Sequence, residues 1–480
     1  MSCMTATAAP PTSAADPLLG EAPSSPAGPA PGDGRPAALP PLVKMPRPLV
    51  TLRVSVRQLA FLFRARRMYG ETFTVRGAFG DDVVFVSHPD HVKSLFTAKS
   101  EQARSTVGES PLRPIVGPNS ILTSLGERHL RQRKLLLPPF HGEAVERYVA
   151  MIADVAEREI DSWPTGEPFA LGPRMQAITL DVIMSGIFGI DGTPAPGSAE
   201  HGLRETILRL STLSATSLAQ VSELVNLGRS EPVGILRRLL DELDRHIYAV
   251  IAQRRASDEE RTDILSLLLS ARDEQGEPMS DAELRDELVS LVLAGHETTA
   301  NSLAWAFERL VRTPHAYDRL REEVRAQEGD DERAAAYVEA TIHEAMRNRP
   351  VVPITGRRVL VPWQLGDYGL PADTHVLISI ALLHHRDDLY PDPYSFRPER
   401  FLGVKPGTYS WIPFGGGIRR CLGATLAMAE QRVVLRAVAR RTDMVAPNPT
   451  PEGVIHRNVT MIPKRGAEVT ITSRRPAQSG

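Results

Sequence analysis

Cysteine is nearly absent from this sequence. Two residues in 480, Cys3 and Cys421, are too few and too far apart for a disulfide framework, so a reducing, cytoplasmic setting is expected. Excess charge is missing as well. Lys plus Arg (56) nearly cancels Asp plus Glu (58), and the resulting −2 gives no whole-chain reason to expect nucleic acid or a membrane surface as partner. No run of about 20 apolar residues occurs, which excludes an integral membrane segment, and the first residues lack the pattern of a secretory signal. No Rossmann fingerprint is present either, and the glycine-rich stretch near the C-terminal end lacks the Lys-Ser/Thr pair of a phosphate loop.

What is present is ordinary in bulk and uneven along the chain. Hydrophobic residues make up 42% and charged residues 24%, as in a soluble protein with a sizeable core. Of the 40 prolines, 12 fall in residues 1–48 among Ala, Ser and Gly, so residues 1–45 read as a disordered tail and 46–480 as the folded part. Residues 47–69 mix apolar and basic side chains, which fits a helix packed on the body better than one lying on a membrane surface. Residues 72–87 read as a β-hairpin with a Gly-Asp turn, and residues 141–272 are mostly helical in period. Residues 356–378 have the short apolar runs of a small sheet. The fold class expected is mainly α with small β-sheets.

The best-defined helix begins at Ser280, where Glu283 completes a capping box, and nothing breaks it before Pro314. At 1.5 Å per residue, roughly 33 residues span about 50 Å and would cross the core. Its apolar run, which includes Leu288 and Leu293, is interrupted by Ala294, Gly295, His296, Glu297, Thr298, Thr299 and Asn301. Burying such groups costs several kcal/mol unless they are hydrogen-bonded or face a cavity, so a ligand beside this stretch is expected. Gly295 would let a flat ligand approach the backbone. A zinc site of the His-Glu-x-x-His kind fails, because Ala300 stands where the second histidine is needed.

The second motif is Phe414-Gly-Gly-Gly-Ile-Arg-Arg-Cys-Leu-Gly423. Its glycines permit converging backbone amides, and the helical period that follows sets Cys421 at a helix N-terminus, where amides and dipole favour a thiolate. Cys421 then reads as a nucleophile or as a metal ligand. Glu344 and Arg347 lie three apart on a helix ending before Pro350, and Arg400 sits in a Phe-Arg-Pro-Glu-Arg-Phe coil where it could complete a buried charge network. His129 and Arg133 share one helix face, with Arg128, Arg131 and Lys134 around them, as a solvated basic face or an anion site would have.

Taken together, in this order and approximate spacing, these five segments resemble the cytochrome P-450 family of haem-thiolate monooxygenases over about residues 45–475. The resemblance implies a single large domain with a long helix crossing the haem, and heme b with Cys421 as the axial iron ligand. It implies that Phe414, Gly415 and Gly423 line the cysteine side and Ala294, Gly295 and Thr298 the opposite side. It implies that His129, Arg133, Arg358 and Arg419 hold the propionates, with Arg357 competing with Arg358, and that Glu344, Arg347 and Arg400 form a structural triad. Glu297 and Thr298 are the expected proton relay for dioxygen as co-substrate. An apolar small molecule is the expected substrate, drawing on Leu293, Ala294, Val352, Ile354, Thr355 and Thr460, the loop 105–122 and the helices around 205–235. Electrons would come from a ferredoxin and ferredoxin reductase docked on Arg128, Arg131, Lys134 and Arg420. The competing readings are a peroxide-driven haem-thiolate oxygenase and a non-catalytic haem-binding sensor or carrier.

Overall fold

The computed structural model describes residues 38–77, 82–109, 112–190, 192, 194–214, 232–326, 332–457 and 459–477. Residues 1–37 of the expected tail and the hairpin turn at 78–81 lie outside them, as do residues 215–231 of the expected pocket helices. Residues 38–45, assigned by composition to the tail, are part of the body. Val43 is buried, its N–H donates to the Thr74 carbonyl at 2.8 Å, and Gly369 donates to the Ala38 carbonyl at 3.1 Å. A Pro-rich segment can do this because it adds along a sheet margin through its carbonyls.

The chain opens with α1 (Arg47–Tyr69), β1 (Thr72–Arg76), β2 (Asp82–Val86), α2 (Pro89–Thr97) and β3 (Ala103–Ser105). A helical body follows: α3 (Arg113–Val116), α4 (Gly126–Leu136), α5 (Glu143–Asp161), β4 (Pro168–Ala170), α6 (Leu171–Phe188), α7 (Ala199–Ser214), α8 (Gly234–Arg255), α9 (Ile264–Ser270), α10 (Asp281–Val311), α11 (Pro314–Arg325) and α12 (Glu332–Asn348). The chain then forms β5 (Ile354–Val359), β6 (Trp363–Leu365), β7 (Tyr368–Leu370), β8 (Thr374–Ser379) and α13 (Ile380–His384). It ends with α14 (Ala424–Arg441), β9 (Thr442–Val445), β10 (Val454–Arg457), β11 (Thr460–Pro463) and β12 (Glu468–Arg474). The architecture is mainly helical with small sheets.

The largest sheet has the order β1-β2-β8-β5-β3, in which β2 and β8 run parallel and the other pairs antiparallel. One of its faces packs on α1 through Phe61, Leu62, Phe73 and Phe85, and the other on α2 through Phe96, Val359 and Ile378.

Helix α10 is the axis of the helical body. The Glu283 N–H donates to Ser280 Oγ at 3.2 Å and the Ser280 N–H to Glu283 Oε2 at 2.9 Å, the reciprocal cap expected from the sequence and worth about 1 kcal/mol. Leu284, Leu288, Leu303, Trp305 and Phe307 of this helix are almost wholly buried, each contributing about 1.5–3 kcal/mol. The helix runs unbroken through Ala294–Asn301, with His296, Thr299 and Asn301 buried, and the Thr298 hydroxyl, the Asn301 amide and the His296 ring paired with carbonyls.

Candidate active site

Helix α10 and the loop preceding α14 bring the chemical groups together. In that loop the Cys421 N–H donates to the Phe414 carbonyl at 2.9 Å, closing a tight turn that needs Gly415 and Gly417 at φ 66° and 64°. A Cβ on Gly416 would stand 2.3 Å from the Phe96 ring, and one on Gly417 2.1 Å from the Phe96 carbonyl oxygen, so glycine is what lets this loop close on α2. Phe414 is fixed edge-on to Trp411, with ring centroids 6.1 Å apart. Cys421 is solvent-accessible although protein surrounds it on nearly every side, and Ala294 is exposed between the buried Val292 and His296. Burial pushes the Cys421 thiol up, outweighing the Gly423 N–H and the Arg133 and Arg420 guanidiniums that favour the thiolate. The helix-terminal geometry therefore does not ionise this thiol by itself.

A cluster of cations flanks the cysteine loop. Arg133 donates to the Arg420 carbonyl at 2.9 Å, tying α4 to the loop, and Arg419 donates to the carbonyls of Ile121 (2.9 Å) and Ser124. Arg419 and Arg357 line one cavity of ≈ 200 Å³ together with Ser105, Leu125 and Ile418. Burial lowers both guanidiniums to about 10, Arg357 and Arg133 add repulsion at Arg419, and neither has an ion pair among the described residues, although Glu101 also lines the cavity. His129, 2% exposed, is pushed down to about 4 by burial and by Arg419 and Arg133, so it is a neutral hydrogen-bonding group at neutral pH. Desolvated cations without anions are costly unless a negatively charged ligand completes them.

Strand alternation corrects two expected positions. Arg358 was expected in the cation cluster, but it lies on the opposite face of β5 and forms a bidentate pair with Asp373 at 2.6 and 2.7 Å, while Arg357 points into the cavity beside Phe96. Ile354 shares the face of Arg358 and packs against the α1 cluster, away from the expected pocket. At Gly295 a Cβ would stand 2.6 Å from Ile183 Cδ1, so α10 and α6 also pack closely there.

On α10, Thr298 Oγ1 donates to the Ala294 carbonyl at 2.5 Å. The Glu297 carboxyl accepts from Thr460 Oγ1 at 3.3 Å and lies 3.6 Å from Arg457; burial raises its pKa against both partners. Arg457 was not found from sequence, since no local pattern links β10 to a helix 160 residues earlier. Val352 neighbours Val351, whose carbonyl accepts from the Met461 N–H at 2.7 Å, which sets Val352 beside the β11 strand that carries Thr460. Thr355 shares the Arg357 face of β5. Leu293 lines a separate small apolar pocket with Leu203, Ile207, Leu243 and Ile247 of α7 and α8.

The charge network is assembled from distant segments. Arg347 donates to both oxygens of Glu344 at 2.6 and 2.8 Å and to the carbonyls of His384 and Pro393 at 2.8 Å, and Arg400 donates to Glu344 at 3.2 Å. Glu344 and Arg347 are fully buried.

The cytochrome P450 family profile matches residues 40–470. The chain belongs to the cytochrome P450 family. Cytochrome P450 137 of Mycobacterium tuberculosis is 38% identical over 434 residues, 87% of this chain and 86% of that protein. Cytochrome P450 138 of Mycobacterium bovis is 37% identical over 439 residues, 91% of this chain and 97% of that protein. The retinoic acid-bound cyanobacterial CYP120A1 superposes with a TM-score of 0.77 at 24% identity, covering 91% of this chain and all of that one, so the fold is the P450 fold. A P450 of this family is a haem-thiolate monooxygenase. The residues present suit that group: an accessible thiol in a glycine loop, and two buried cations, Arg357 and Arg419, without an ion pair among the described residues.

The basic face expected to receive a redox protein is thinner than its sequence suggests. Arg131 is held by Asp273 at 2.6 Å and Glu283 at 3.0 Å, and Lys134 by Glu274 at 2.5 Å. Arg128 bonds the neutral side chain of Asn119, and Arg420 is exposed. No helix among the described residues is long and apolar enough to cross a membrane.

Proposed function

We propose that this P450 is a cytoplasmic heme b enzyme that inserts one atom of dioxygen into an apolar small molecule. Haem, when bound, would supply the oxygen-activating chemistry, and Cys421 is the residue that would hold it through its thiolate. The observation that carries the reading is the pairing of the Cys421 loop with the buried Arg357 and Arg419, which have no ion pair among the described residues and which the two propionates would complete. His129 donates as a neutral imidazole and Arg133 as a cation. Arg357 takes the role first expected of Arg358.

On the opposite wall, Thr298 and Glu297 manage protons. Burial raises the pKa of the Glu297 carboxyl against Arg457 and Thr460, which suits it to relay a proton toward the Thr298 hydroxyl. Ala294, Val352, Thr355 and Thr460 supply a lining for the substrate, with Leu293 beside it in the small apolar pocket of α7 and α8. Electrons come from a separate ferredoxin and its reductase, docking where Arg128 and Arg420 remain without ion pairs among the described residues.

A carbon monoxide difference spectrum of the reduced protein tests thiolate ligation, and Cys421→Ser is expected to abolish the thiolate band. Thr298→Ala is expected to raise peroxide release and lower product formed per reducing equivalent by about tenfold or more, the scale of a positioned proton donor. Unchanged coupling overturns the role given to Thr298.

A further inference from the structure

Helix α1 holds six arginines and no acidic residue in 23 positions, within a chain of net charge −2. Packing explains only its second half. There Phe61, Leu62, Phe63 and Ala65 are buried, and Arg66 donates to the carbonyls of Leu382 (2.7 Å) and His385 (3.2 Å). The helix breaks at Arg57, whose φ of −144° and ψ of 53° are non-helical, so the first half presents its own face. On that face Leu49, Leu52 and Arg53 stand at i, i+3 and i+4, with the leucines 50% and 57% exposed, while Val50 is 3% exposed and points inward. Lys44 just before the helix and Arg57 at the break are exposed, as are Arg64 and Met68 farther along it. A merely solvated basic face has no use for two outward leucines three residues apart.

We propose that this face docks reversibly on an anionic phospholipid bilayer, with Leu49 and Leu52 entering the boundary between headgroups and acyl chains and Lys44, Arg53, Arg57 and Arg64 meeting lipid phosphates. Charge selects this occupant over a second copy of the chain. A two-fold interface through α1 would set its arginines against those of the other copy, with no acid on the helix to compensate.

Flotation of the full-length, haem-loaded protein with vesicles of phosphatidylcholine, alone or mixed with phosphatidylglycerol, tests the proposal. Binding is expected only to the phosphatidylglycerol vesicles and to weaken with added salt. Joint Arg53→Glu, Arg57→Glu and Arg64→Glu substitution is expected to weaken it about 100-fold, at about fivefold per lost cation, and Leu49→Ser with Leu52→Ser about tenfold. The triple Arg→Lys variant is expected to bind as the parent does, which separates lost charge from lost folding. Equal binding to both vesicle types, no binding to either, or full binding by the Glu variant overturns the proposal. So does a dimer in size-exclusion chromatography that the leucine substitutions dissolve, because the face then belongs to a second copy.

Discussion

Arg357 and Arg358 are chain neighbours that β5 sends to opposite faces, one into a desolvated cavity and the other onto the Asp373 carboxylate at the surface. Removing them should have unlike effects. Arg357→Ala is expected to reduce haem retained per protein severalfold, read from Soret absorbance after gel filtration, because a propionate loses a charge-assisted partner. Arg358→Ala is expected to retain haem at the parent level. At the redox face the same reasoning separates Arg420 from Lys134. Arg420→Glu should slow reduction by a ferredoxin and flatten its salt dependence, whereas Lys134→Glu exchanges an already neutralised cation and should change the rate less.

The segment 117–124 between α3 and α4 is an element without regular structure, and α10 holds it in place. Asp286 accepts from the Asn119 N–H at 2.8 Å, Glu287 from the Ile121 N–H at 2.9 Å, and Ser290 bonds Ser120 at 2.5 Å. Gly117, at φ 85°, leaves room for the Asp286 carboxylate, which a Cβ would overlap. Glu287 is fully buried with one oxygen unpaired, and burial, reinforced by Asp286 and Glu283, raises its pKa to about 8. From about pH 4.5 to about 8 the folded chain keeps a proton that the unfolded chain releases, so this contribution to stability is complete below that window and declines as pH rises through it. Glu287→Gln, which mimics the protonated form, is expected to flatten the melting temperature across pH 5 to 8 relative to the parent. Sequence reading reached the elements whose signals are local: the capped α10, the glycine loop before α14, and the Glu344–Arg347 spacing. It could not reach Arg457 beside Glu297 or the outward turn of Ile354 and Arg358. Each of these depends on strand register or on helix packing between segments far apart in sequence.

At the scale of the whole molecule, the Glu344, Arg347 and Arg400 network joins α12 to the coil at 391–400 that leads to the cysteine loop. Arg347 alone bonds one carboxylate and the carbonyls of His384, Pro393 and Ser395. Arg347→Ala leaves Glu344 buried and poorly compensated and is expected to cost about 3–5 kcal/mol in urea unfolding. Arg400→Ala, which removes a longer and partly exposed contact, is expected to cost less. The contact of Gly416 and Gly417 with Phe96 carries a consequence for how this protein can vary. Every missense change at either codon adds a Cβ where a ring or a carbonyl oxygen already stands, whereas one at Gly186 would meet only the Tyr148 ring at an ordinary 3.7 Å. In a randomised gene library selected for haem colour, codons 416 and 417 should therefore return almost silent changes alone, a blank pair beside the cysteine that marks how tightly the loop is pressed onto α2.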